Sequence, residues 1–200
     1  MEFTIPGIPV PANWRNQPES WEVLPDQRLI IKAGERTDLF LSPSGDLRSD
    51  NSPAALFMVP EGDFILSAKV AVSFQSAYDA GTLLLHITDT LWGKLCFEFS
   101  PQRQPMIVSV VTRGLSDDCN SQTVNGNTVY LRIARIKEAI AFHYSLDGYR
   151  WQFVRFFTLG RWEHVWIGFS SQSPTGNGCT AEFSDIHFLE KTLGDLRNGA

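Results

Sequence analysis

Long apolar runs are missing from this sequence, and so is any excess of basic charge. No stretch approaches the roughly 20 apolar residues needed to span a bilayer, so no membrane-crossing helix is expected. The net charge of −5, with no Lys/Arg cluster to reverse it locally, excludes the basic stripe that nucleic-acid binding requires. Cysteine is scarce. Cys96, Cys119 and Cys179 are odd in number and far apart, which suits reduced thiols better than a disulfide framework, with a single bridge left open. The N-terminal Met-Glu-Phe-Thr-Ile-Pro-Gly has no basic n-region, apolar h-region or small-residue cleavage site. A cytoplasmic location is the expectation.

Catalytic signatures are missing as well. A retaining glycosidase needs two carboxyls about 5–5.5 Å apart, and the Glu-x-Asp-x-x-Glu pattern of sandwich glucanases is absent. Glu98 has no acidic residue at i±2, Glu182 is flanked there by Thr180 and Ser184, and Asp185 falls on the opposite face of a regular strand. His86, His143, His164 and His187 have no ligand-spaced companions. No metal or cofactor is therefore expected, calcium near Asp117-Asp118 being the least weak form of such a site. No Gly-x-Ser-x-Gly elbow marks a nucleophilic serine. Cys96 and Cys179, set at strand positions, read as inert packing residues.

What the sequence does have is aromatic residues and period-two alternation. Aromatics make up 12%, with 14 Phe and 6 Trp, and these suit half-buried pleated surfaces. Phe64, Leu66, Ala68, Val70, Val72 and Phe74 share one parity while Ser67, Lys69 and Ser73 take the other. Val129, Leu131 and Ile133 alternate with Tyr130, Arg132 and Ala134, and Ile140, Phe142 and Tyr144 with Ala141, His143 and Ser145. Further strands are expected over 28–32, 54–59, 81–88, 91–100, 104–112, 165–170 and 179–189. Asp147-Gly148 predicts a two-residue hairpin turn, and Asn125-Gly126 a second hairpin. Loops are expected at Glu61-Gly62-Asp63, Ser44-Gly45-Asp46 and residues 174–178, and a helical turn has room over 158–163.

About a dozen short strands at this spacing predict an all-β sandwich or barrel. Without repeats or an interdomain linker, residues 1–193 are expected to form one domain. Residues 5–18 read as an extended lead-in lying across a sheet, and residues 194–200 as a loose C-terminal tail.

An ordered series of motifs runs through nearly the whole chain. It comprises Trp21-Glu22, Thr37-Asp38-Leu39-Phe40, Gly62-Asp63-Phe64, Tyr78-Asp79-Ala80-Gly81 and Trp92-Gly93-Lys94-Leu95-Cys96-Phe97-Glu98. Ser109-Val110-Val111-Thr112-Arg113, Leu131-Arg132-Ile133 and Tyr144-Ser145-Leu146-Asp147-Gly148 with Trp151 follow, and Gly168-Phe169 with Ser173-Pro174 closes it. The series resembles the regulation-of-enolase-type family of concanavalin A-like proteins over roughly residues 20–190. The resemblance implies a two-sheet antiparallel jelly roll and a regulatory or carbohydrate-related role. Gly93 stands where family members usually carry a larger residue, and Asp117-Asp118-Cys119 lacks an expected aromatic.

The candidate ligand face follows from parity. Trp92, Lys94 and Glu98 share one side of a strand, with His86 on the preceding strand, Arg113 ending the next, and Tyr78 and Asp79 at the rim. An aromatic plate beside cations, a carboxylate and an imidazole suits a sugar or small polar metabolite. The bland alternative is a solvated face where Lys94 and Glu98 form an ion pair worth about 0–1 kcal/mol. Arg132 and Arg135 fall on opposite parities, and Trp151 reads as a structural anchor. Three readings stay open: a carbohydrate- or metabolite-binding domain, a regulatory module with a protein partner, and a sugar-active enzyme with an atypical catalytic set.

Overall fold

A computed structural model describes residues 2–199 of the chain, and strands are its only regular elements. Among the described residues no helix is long and apolar enough to cross a membrane. One sheet, here the front sheet, runs β1 (Asn13–Arg15), β6 (Ala54–Met58), β15 (Trp166–Gln172), β8 (Ala80–Thr88), β9 (Leu91–Phe99), β10 (Pro105–Arg113), β11 (Leu115–Thr123). The back sheet runs β14 (Gln152–Thr158), β13 (Ala139–Ser145), β12 (Thr128–Ile136), β7 (Phe64–Val72), β16 (Cys179–Leu189), β3 (Leu29–Ala33), β2 (Ser20–Val23). Neighbouring strands in both are antiparallel. The all-β sandwich expected from the alternation is the observed architecture.

The core lies between the sheets. Leu83, Leu85, Leu95, Phe97, Ile107 and Val111 of the front sheet meet Leu66, Val70, Leu131, Ile133, Phe142 and Phe183 of the back sheet, all buried. Because side chains alternate along a strand, that parity fixes the other. Trp92, Lys94, Cys96 and Glu98 must therefore point to the outer face of the front sheet. That outer face is not left to water. A short hairpin, β4 (Leu39–Leu41) with β5 (Arg48–Asp50), folds over it, and Leu39 closes a second cluster with Leu56, Leu84, Trp92, Cys96, Val108 and Val110. Gly93 lies on the core side, where an added Cβ would come within 3.1 Å of the Phe157 ring. The small residue is a packing feature of the core and leaves the outer face unchanged.

Several local expectations need correcting. Asn125-Gly126 joins β11 of the front sheet to β12 of the back sheet, so it is a crossover and not a hairpin. The β13–β14 connection is a hairpin, but its loop spans residues 146–151. Asp147 accepts hydrogen bonds there from the Tyr149 and Arg150 amides at 2.8 Å each, a turn anchored by a side chain. The expected helical turn over 158–163 is irregular backbone after Thr158. The edge strand β11 shows almost no apolar alternation because it is exposed along most of its length.

Both ends of the described chain are packed. Ile5 and Ala12 are buried, and Phe3 stacks on Trp14 with ring centroids 5.2 Å apart, so the lead-in completes the front sheet's edge. The tail is not loose. His143 Nε2 lies 2.8 Å from the Leu196 carbonyl, Leu193 is buried, and the Arg197 guanidinium sits 4.4 Å over the Phe153 ring. The polar and aromatic outer face of the back sheet gives these residues something to cap.

Candidate functional site

Strand register places the predicted residues. Glu98 pairs with Ala80 and Met106, Lys94 with Leu84 and Val110, and Trp92 with His86 and Thr112. Trp92, Lys94, Glu98 and His86 thus share the outer face of the front sheet. Trp92 and Glu98 lie six residues apart, a span of about 20 Å at about 3.3 Å per residue, with Lys94 between them and its Nζ 5.9 Å from the Trp92 ring centroid. The face divides into a Trp92–His86 end and a Lys94–Glu98 end.

At the first end, Trp92 is 0% exposed, buried beneath the hairpin. A ring without exposed surface cannot stack on a ligand, so the expected aromatic plate is absent and Trp92 is a packing residue. His86 is buried beside it, with Nε2 3.7 Å from Asp89. Its pKa falls to about 4, chiefly from burial and then from the Arg15 charge, with Asp89 pulling weakly the other way. Arg113 lies on the core-side parity opposite Leu91 and reaches the Thr158 carbonyl of the back sheet at 3.3 Å. It is separated from the face by the sheet itself.

The second end carries the chemistry. Lys94 is buried, and its Nζ donates to Asp38 Oδ1 at 3.1 Å and to Gln172 Oε1 at 2.8 Å. Gln172 lies in the same cross-strand row as Ala80 and Glu98, so the acceptor of the Lys94 ammonium is a register neighbour of Glu98. The Gln172 amide donates onward to the Tyr78 carbonyl at 3.4 Å, which ties the Tyr78 loop to the network. Tyr78 itself keeps partly exposed surface at the rim, in a left-handed backbone conformation of φ 70°. Asp79 is fully buried; its carboxylate accepts from the Gln75 and Ser76 amides and from Ser173 Oγ at 2.6 Å. It fixes the loop and does not face a ligand.

Lys94 and Glu98 do not form the ion pair of the bland alternative, because Asp38 takes the ammonium. Burial pulls the Lys94 pKa down, but the Asp38 charge and hydrogen bond contribute to a net upward shift. Glu98 is 9% exposed and has no hydrogen-bond partner among the described residues. Burial drives its pKa up to about 8; Lys94 opposes this, while Asp118 and Asp38 add to it. Asp118, across β10 from Lys94, is itself raised by burial against the pull of Lys94. At neutral pH Glu98 is therefore largely a neutral acid, able both to donate and to accept a hydrogen bond. Cys96, between Lys94 and Glu98, is held as a thiol by burial.

Asp38, Gln172 and Asp118 were not singled out by the strand pattern. Asp38 occurs in the Thr37-Asp38-Leu39-Phe40 motif, a signal without an assigned role, and the other two join the site only through cross-strand register. Asp117 points away from Asp118 and pairs with Arg155 at 3.0 Å, so the two acids do not share one cation. Among the described residues no group of three His, Cys, Asp or Glu is arranged to hold a metal ion. Asp38→Asn keeps an oxygen near Lys94 but removes its counter-charge. The variant is expected to lose about 1.5–3 kcal/mol in urea unfolding, the range for hydrogen bonds to charged groups.

Residues 14–191 match the family model described as protein of unknown function, DUF1349. The chain belongs to this family. It is 27% identical over 193 residues to Regulation of enolase protein 1 of Saccharomyces cerevisiae, covering 92% of this chain and 94% of that protein. A crystal structure of a functionally unknown Saccharomyces cerevisiae protein superposes with a TM-score of 0.83 at 23% identity, covering 90% of this chain and 96% of that one. A GH43 protein from Bacillus licheniformis matches at a TM-score of 0.70 and 16% identity over 88% of this chain but 36% of its own. That last likeness concerns the fold, and about a third of the larger protein.

Proposed function

We propose that this DUF1349 member binds a neutral carbohydrate, or a related small polyhydroxyl metabolite, on the outer face of its front sheet. The observation that carries the reading is Glu98: a mostly buried carboxyl, shifted toward its neutral form and without a hydrogen bond to the protein among the described residues, set beside the Lys94–Asp38–Gln172 network. Its oxygens are not among the fully buried atoms left without a partner, so they keep surface that a ligand hydroxyl can reach. The protonated carboxyl matches a hydroxyl, which also both donates and accepts. Tyr78 supplies an exposed ring at the margin, while Lys94, held by Asp38 and Gln172, sets the charge beside Glu98. With Trp92 buried, affinity rests on directional hydrogen bonds more than on ring stacking.

The test is saturation-transfer NMR on a panel of neutral mono- and disaccharides, comparing wild type with Glu98→Leu. The leucine keeps the bulk and removes the unpartnered carboxyl, so the fold is expected to hold. Saturable transfer in wild type that disappears in a folded Glu98→Leu variant supports the reading. Transfer to neither protein, or equally to both, contradicts it.

A further inference from the structure

The back sheet has its own outer face, and there β12 carries Tyr130 and Arg132 opposite the core residues Leu131 and Ile133. Arg132 lies flat against an indole, its guanidinium carbon 3.6 Å from the Trp151 ring centroid. One Nη donates to the Gly199 carbonyl, while Nε is buried without any acceptor. No carboxylate among the described residues stands within ion-pair distance of this guanidinium. Burial alone brings its pKa down to about 10. It is still a cation at neutral pH, and natural proteins seldom leave a part-buried cation without a counter-charge.

A cavity of about 350 Å³ opens beside it, at the small end of the roughly 300–1,000 Å³ common for ligand sites. Tyr149, 88% exposed, stands at its rim. Two acids line the same cavity, each hydrogen-bonded to groups other than Arg132 and each still a negative charge in the lining. Asp147 accepts from Ser145 and from two loop amides, and Asp185 pairs with His187 at 3.1 Å. Stacking on Trp151 uses the face of the guanidinium and the Gly199 carbonyl uses one Nη, which leaves the other Nη and the unpartnered Nε–H for a flat anion.

We propose that this cavity is a second ligand site, for a small metabolite carrying one carboxylate and of about sugar-acid size. Among the described residues one guanidinium without a carboxylate partner matches one negative charge, and Asp147 and Asp185 in the lining oppose a dianion such as phosphate more strongly than a monoanion. The site is on the opposite side of the sandwich from Glu98 and does not depend on it.

The test follows the Arg132 Nε–H resonance in ¹⁵N-labelled protein, with Glu98→Leu as background so that the front face contributes nothing. Glucuronate is expected to shift this resonance saturably; glucose, the same ring without the charge, is expected to leave it in place, and inorganic phosphate to act more weakly than glucuronate. Arg132→Lys keeps a cation that can reach the Gly199 carbonyl but loses the planar fork. Isothermal titration should show glucuronate affinity reduced about tenfold or more in that variant. Tyr149→Ala, altered at an exposed ring, checks the cavity without threatening the fold and should weaken binding. The proposal is overturned if glucuronate produces no saturable shift or if phosphate matches it. It is overturned equally if Arg132→Lys binds as tightly as the parent.

Discussion

Moving from about pH 5 to about pH 9 is expected to destabilise the wild-type protein, and Glu98→Gln is expected to remove most of that loss. In the unfolded chain the Glu98 carboxyl ionises near its ordinary 4.5, and in the folded state near 8. Between those values the folded protein holds the proton that the unfolded chain has released. Stability is then complete below the unfolded pKa and falls as pH rises through the folded one. The loss is on the order of a few kcal/mol, since each pKa unit corresponds to about 1.4 kcal/mol. Glutamine mimics the neutral acid and has no proton to lose. In urea unfolding the variant should match wild type near pH 5 and exceed it near pH 9, where its melting temperature should stand about 5–15 °C higher. Parallel pH profiles for the two proteins would show that Glu98 is an ordinary carboxylate. His86 acts in the opposite direction at lower pH. Its folded pKa of about 4 lies below its ordinary 6.5, so stability falls as pH drops through that window. The two slopes offset each other between the ordinary values of 4.5 and 6.5, which places the optimum in that mildly acidic window.

Trp92→Ala should cost about 3–5 kcal/mol, the usual loss for emptying a fully buried aromatic position. The ring is 0% exposed and packs with Leu39, Leu84 and Val110 beneath the β4–β5 hairpin. Removing it leaves a cavity under the hairpin, and Asp38, which immediately precedes β4, loses part of its support. A fall of about 10 °C or more in melting temperature is therefore expected, with any loss of ligand response following from the loosened Asp38–Lys94 contact. A variant that melts within a degree or two of wild type yet binds no ligand would restore Trp92 to the role of a stacking surface.

These two residues show where sequence reading succeeded and where it stopped. Parity along β9 put Trp92, Lys94 and Glu98 on one face, and the structure keeps them there. Parity says nothing about what lies above a face. The covering hairpin is only three residues per strand, and its polar β5, Arg48–Asp50, offers no apolar alternation. The burial of Trp92 was thus not legible. Nor was the partner of Lys94, because Asp38 lies 56 positions away and reaches it through that same hairpin. Strands with one face in the core were read to within a residue or two, whereas β11, exposed along most of its length, left no pattern. The Asn125-Gly126 signal was a genuine turn, but local turn chemistry does not specify which sheet the next strand joins. The tail was read as loose because its polar composition hides its contacts, which are made largely through backbone carbonyls such as Leu196.

The most direct measurement is a ¹³C NMR titration of the Glu98 side-chain carboxyl, alone and with each sugar of the neutral panel. The account predicts a midpoint near 8 in the free protein. It also predicts that at least one sugar moves that midpoint saturably, because a hydroxyl bound to the neutral acid changes the cost of ionising it. A midpoint in the ordinary carboxylate range that no sugar displaces would contradict both the burial of Glu98 as an unpartnered acid and the ligand face built upon it.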